Sequence, residues 1–87
     1  MKDYLSDTSI PVQCRVDIAD AALEYANLAI AYRVAEMQFN KNLENGPYSP
    51  ECKESEQAYY DAIENKNYAE DTLRILIACT LSKYYEV

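Results

Sequence analysis

A single glycine punctuates the whole chain. Gly46 lies in Asn45-Gly46-Pro47-Tyr48-Ser49-Pro50, while residues 12–45 and 51–87 contain neither glycine nor proline. Glycine and proline are the residues that most readily stop a helix. Two long uninterrupted runs around one break therefore predict an all-α fold, an antiparallel hairpin of two long helices. Neither run alternates with a period of two over a useful length, so a strand reading fails.

The boundaries follow from the same signals. Residues 1–10 read as a short N-terminal arm, with Tyr4, Leu5 and Ile10 among polar neighbours. Thr8 or Ser9 is expected to cap a first helix over 11–44, with Pro11 in its first turn, where a missing N–H costs nothing. Alanines at 19, 21, 22, 26, 29, 31 and 35 raise its helical propensity. Residues 45–49 form the turn, with Gly46 as a left-handed terminator and Pro47 just beyond. Ser49-Pro50-Glu51 restarts the chain as cap, first-turn proline and early carboxylate, opening a second helix over 50–84. Asn65-Lys66-Asn67 is its weakest stretch and the place where a kink would fall.

At 87 residues the chain is one domain. A chain this short buries only about 60% of its unfolded surface, so its own core is thin. No apolar run after Met1-Lys2-Asp3 is long enough for a signal peptide, and none approaches the roughly 20 residues of a membrane helix. The expectation is a soluble protein of the cytoplasm, of a bacterium or an infected host cell, with no membrane partner.

Composition narrows the chemistry. Cys14, Cys52 and Cys79 are odd in number and widely spaced, unlike a secreted disulfide framework. Free thiols are expected, although a hairpin brings Cys14 near Cys79. There is no histidine, so the usual zinc ligand sets and the usual general base at neutral pH are both missing. One glycine cannot build a phosphate-binding loop. Neither a catalytic residue, a metal site nor a cofactor is expected, and the chain reads as a non-enzyme. The net charge of −7, without a basic run, argues against direct binding to nucleic acid. An acidic surface suits a basic protein partner instead.

Helical projection supplies the most useful pattern. On the first helix, Asp17, Asp20, Glu24, Asn27, Gln38 and Asn42 gather into one polar stripe. Val16, Leu23, Ile30 and Met37 form one apolar row, and Ile18, Tyr25, Tyr32 and Phe39 form another, joined by Leu28. The apolar arc is wider than the stripe of about 100° that one helix–helix contact needs. One partner helix cannot cover it, and the hairpin is expected to dimerise into a four-helix bundle. Ala19, Ala22, Ala26, Ala29, Tyr25, Tyr32 and Arg33 are the expected oligomer interface. Arg33 lies level with Asp61 across the hairpin, where a pair between them would fix register.

On the second helix, Tyr59, Ala62, Ile63, Ala69, Leu73, Leu76, Ile77 and Tyr84 share the core face, interrupted by Lys66 and Glu70. Those two are expected to pair with each other or with Glu24. Residues 1–10 are expected to return over Ile75 and Cys79. Glu54, Asp61, Glu64 and Asp71 lie on the outer face. Helical neighbours three or four apart stand about 5–6 Å from each other, comparable to phosphate spacing along a strand. Tyr48, Tyr60 and Tyr68, among nine tyrosines, lie off the core face and suit a protein interface.

These features favour a non-catalytic protein–protein interaction protein: a small acidic inhibitor or adaptor occupying a basic, nucleic-acid-binding surface of a larger partner. Phage-encoded blockers of bacterial defence complexes, the anti-CRISPR type included, are often of this size and charge, a likeness of class only. Attraction would come from Glu54, Asp61, Glu64 and Asp71, and specificity from Tyr48, Tyr60 and Tyr68. One alternative is a helical oligomer holding a small anionic ligand such as a nucleotide between subunits, through Arg33 and Tyr32. Another is a structural assembly component.

Overall fold

The computed structural model describes residues 3–85. A short 3-10 turn, Tyr4–Ser6, precedes two helices, α1 (Val12–Glu44) and α2 (Pro50–Tyr84), which pack along each other. No strand occurs among the described residues. The hairpin is slender, 55 × 20 × 19 Å. The first two residues of the expected arm, Met1 and Lys2, lie outside the described residues.

The turn forms as its chemistry requires. Gly46 has φ +133°, a backbone conformation that side chains with a Cβ rarely adopt. Its N–H bonds the Leu43 carbonyl at 3.3 Å, closing α1. Ser49 then caps α2: its Oγ accepts from the Cys52 N–H at 3.2 Å and donates to the Gly46 carbonyl at 3.0 Å. The first helix start differs from expectation. Pro11 itself occupies the cap position, and α1 has no side-chain cap. Ser9 is engaged elsewhere, donating from both N and Oγ to Asp7 Oδ1 at 2.9 and 2.7 Å. That local Asx turn outcompetes capping. α2 runs unbroken through Asn65-Lys66-Asn67, because packing against α1 overrides the weak propensity there.

Packing follows a seven-residue rhythm. On α1, Cys14, Ile18, Ala21, Tyr25, Leu28, Tyr32, Ala35, Phe39 and Asn42 step by four and three, and each is half-buried. On α2, Cys52, Tyr59, Lys66, Leu73 and Thr80 recur every seven residues. Ser55, Ala62, Ala69 and Leu76 follow three positions after the first four of these, and all nine are buried or half-buried. This is the 3.5-residue seam of a coiled coil. Tyr59 sits at its centre, with ring centroids 5.6 Å from Tyr32 and 5.5 Å from Phe39. Near the turn, Asn42 Nδ2 bonds Ser55 Oγ and the Glu51 carbonyl, tying the helices together.

The core is thin. Among the described residues, Ile10, Cys52, Ala69 and Thr80 are the buried ones. Small chains rarely draw more than about 3–5 kcal/mol from a single core, and this core is small even by that standard.

Candidate functional site

Two outward surfaces and one end groove are candidates. The first surface is the outer side of α1. Val12, Val16, Ala19, Leu23, Ala26, Ile30, Arg33 and Met37 repeat the inner four-three stepping, two positions out of phase, and every one is exposed. Two positions correspond to about 200° around a helix, so this outer seam lies nearly opposite the inner one. Val12, Leu23, Ile30 and Met37 are 62–65% exposed. Exposure of this extent on a row of large aliphatic side chains makes this face a candidate interaction surface.

The expected interface on α1 is thereby divided. Ala19, Ala26 and Arg33 lie on the exposed outer seam. Tyr25 and Tyr32 belong to the half-buried inner seam, and Ala22 and Ala29 are half-buried beside it. Tyr32 is used within the chain: its ring stacks on Tyr59, Lys66 Nζ stands 4.7 Å from its ring centroid, and its hydroxyl donates to Glu36 Oε2 at 2.9 Å. Hydrogen bonding with Tyr59 foremost, and then desolvation, push the Tyr32 phenol above its ordinary value, with nearby Arg33 pulling the other way. Lys66 thus meets an aromatic face where a carboxylate was expected.

Arg33 does not reach across to Asp61 either. It pairs with Glu36 one turn along α1, its side chain 69% exposed. Asp61 accepts from Gln57 Nε2 at 3.0 Å on α2. The two residues are level along the hairpin but point to different sides.

The second surface is the outer side of α2. Glu54, Asp61, Tyr68 and Ile75 recur every seven residues, with Gln57, Glu64, Asp71 and Ala78 three positions after each. All eight are exposed, Tyr68 at 77%. The structure therefore brings Glu54, Asp61, Glu64, Asp71 and Tyr68 onto one continuous face. Tyr60, 52% exposed, lies beside it and also touches Tyr59 at 5.7 Å between centroids. Tyr48 is 87% exposed in the turn, beyond the helix end. Asp71 is partly engaged by Arg74, 3.9 Å away. At exposed positions such a pair contributes little.

The groove lies at the open end of the hairpin. The arm does not return over Ile75 and Cys79, which stay exposed. It settles between the helices instead, where Tyr4, Leu5, Ile10, Ile18, Ile77, Leu81 and Tyr85 line an apolar groove of about 550 Å³. Arg15 holds it there, donating from Nε to the Ile10 carbonyl at 2.9 Å and from Nη1 to the Leu5 carbonyl at 3.1 Å. Tyr85 Oη donates to Asp7 from the other helix end. Sequence reasoning missed this clasp, because the acceptors of Arg15 are backbone carbonyls that no motif records.

The thiols occupy three environments: Cys52 buried, Cys14 half-buried, Cys79 exposed, and all are free. No cluster of three or more metal-ligating side chains occurs among the described residues. Among the same residues, no helix is long and apolar enough to cross a membrane. No protein-family model matches the chain, and no curated protein or solved structure matches it. Its function must accordingly be argued from these surfaces.

Proposed function

We propose that this chain is a non-catalytic interaction protein that occupies a basic surface of a larger partner through the outer face of α2. The observation that carries the reading is the single exposed row that holds Glu54, Asp61, Glu64 and Asp71 together with Tyr68 and Ile75. Carboxylates spaced along one helix steer a basic partner. A tyrosine and an isoleucine within the same row supply contact area that a merely solvated face lacks. Such a protein acts as an inhibitor or adaptor, excluding whatever else the basic surface binds, nucleic acid included. The hairpin carries out this role as a self-associated unit of two chains, since its own core is so thin.

Capture from the native host on the immobilised chain tests the reading, with E54K/D61K/E64K as the control. A basic protein retained at low salt, released as salt rises and lost from the triple variant is the expected result. Equal retention by the triple variant contradicts it.

The anionic-ligand alternative is less favoured by the geometry. Arg33 is already paired with Glu36, and Tyr32 is stacked inside the hairpin.

A further inference from the structure

We infer that the outer seam of α1 is the contact with a second copy of this chain, and that the two α1 helices run antiparallel about a two-fold axis between Glu24 and Tyr25. The inference rests on the self-association proposed above and fixes its geometry.

A basic partner does not suit this seam. Its eight positions carry no carboxylate, and Arg33 is its one charge. The acidic residues that would repel another copy lie elsewhere: Asp17, Asp20 and Glu24 on the polar stripe of α1, and the row on α2. Val12, Val16, Leu23, Ile30, Val34 and Met37, exposed 44–65%, amount to roughly 500 Å² of apolar surface before Ala19, Ala26 and the Arg33 stem are added. A standard stable interface buries about 800 Å² per partner. The seam spans residues 12–37, roughly 38 Å of helix, long enough for a coiled-coil contact between two chains.

Side-chain size selects the direction. In an antiparallel pair with the whole seam overlapping, facing positions sum to 49. Leu23 then faces Ala26 of the partner subunit, Ile30 faces the partner's Ala19, and Met37 faces the partner's Val12. Large residues meet small ones in the two layers nearest the axis, which keeps the helices evenly spaced. A parallel pair in register sets alanine against alanine and leucine against leucine, leaving gaps between wide layers. It also sets Arg33 against its own copy, two guanidiniums in one apolar seam. In the antiparallel register Arg33 faces the partner's Val16 at the edge of the contact, where its stem packs and its head reaches water. The α2 helices lie on the far sides of the pair, so both acidic rows stay open to a partner.

Charge exchange across the seam tests this by sedimentation of the full chain. The unaltered chain is expected to be a dimer at about 100 µM, a concentration that populates a micromolar complex. V16K, which places an ammonium opposite the partner's Arg33, is expected to weaken the dimer about tenfold or more. V16K/R33E is expected to restore it to within about threefold, because the facing charges are then opposite. A monomeric unaltered chain overturns self-association itself. A dimer in which R33E fails to rescue V16K overturns the antiparallel register alone, and neither result bears on the α2 row. Lysine-reactive cross-linking of the unaltered dimer gives an independent check without substitution. The two Lys41 residues stand roughly 50 Å apart in this register, so a Lys41–Lys41 link is not expected, and its appearance overturns the arrangement.

Discussion

The two outer faces of this hairpin are built on the same seven-residue rhythm and filled with opposite chemistry. On α1 the outer positions are Val12, Val16, Ala19, Leu23, Ala26, Ile30, Arg33 and Met37; on α2 the corresponding row is Glu54, Gln57, Asp61, Glu64, Tyr68, Asp71, Ile75 and Ala78. Both rows are exposed. Solvation alone explains acidic residues on α2 but not aliphatic ones on α1. The difference teaches that exposure in one chain is not a single category. One face is stable in water and, in the proposed reading, selective for a charged partner; the other is held in water only at a cost, which the proposed association would relieve.

The comparison breaks most readily at α1. L23D/I30D places carboxylates at the layers nearest the proposed axis, and self-association is expected to fall about a hundredfold or more, since buried unpaired charge is costly. Sedimentation with the helix content measured in parallel checks this. An unchanged dimer would mean that the outer seam is not the contact.

The reciprocal variant sharpens the contrast. E54K/D61K/E64K is expected to reduce capture of a basic partner by about tenfold or more while leaving self-association within about threefold. Should both activities fall together, the two faces are not independent.

A smaller effect is expected where the faces are joined. G46A meets no atom within 4 Å, so its cost comes from the positive φ alone, about 1–2 kcal/mol. The thermal midpoint should drop without change in either binding behaviour.

The smallest effect is with pH. The Tyr32 phenol is raised in the folded chain, so the folded state holds that proton more tightly than the unfolded one. The associated stability is complete below the ordinary tyrosine range near pH 10 and is lost as pH climbs through the folded value. Alkaline titration followed by circular dichroism should show a loss of helix that Y32F delays.

Much of the fold was legible before any coordinate. Gly46 with Pro47 and Ser49-Pro50 marked the turn and the second cap to within a residue, because each has a backbone conformation that few other residues supply. The wide apolar arc of α1 was also legible. What projection at 100° per residue blurred was the seven-residue stepping, since the two periods drift apart by only about 20° per heptad. Tyr25 and Tyr32 were therefore expected at an oligomer contact, while the structure places them on the seam toward α2. The acidic row was readable because exposed helical residues keep their sequence spacing. The arm's position was not: Ile10 is 5% exposed in the groove between the helices, and Arg15 holds the arm there through backbone carbonyls that carry no sequence signal.

The central claim is that an apolar α1 face joins two copies while an acidic α2 face remains for a basic partner. Sedimentation equilibrium of the unaltered chain at about 0.1 and 0.5 M salt tests it most directly, because screening acts on charge contacts and spares apolar ones. The account predicts a dimer whose association constant is unchanged or rises with salt. A chain that is monomeric at both salts, or a dimer that dissociates as salt rises, would contradict it.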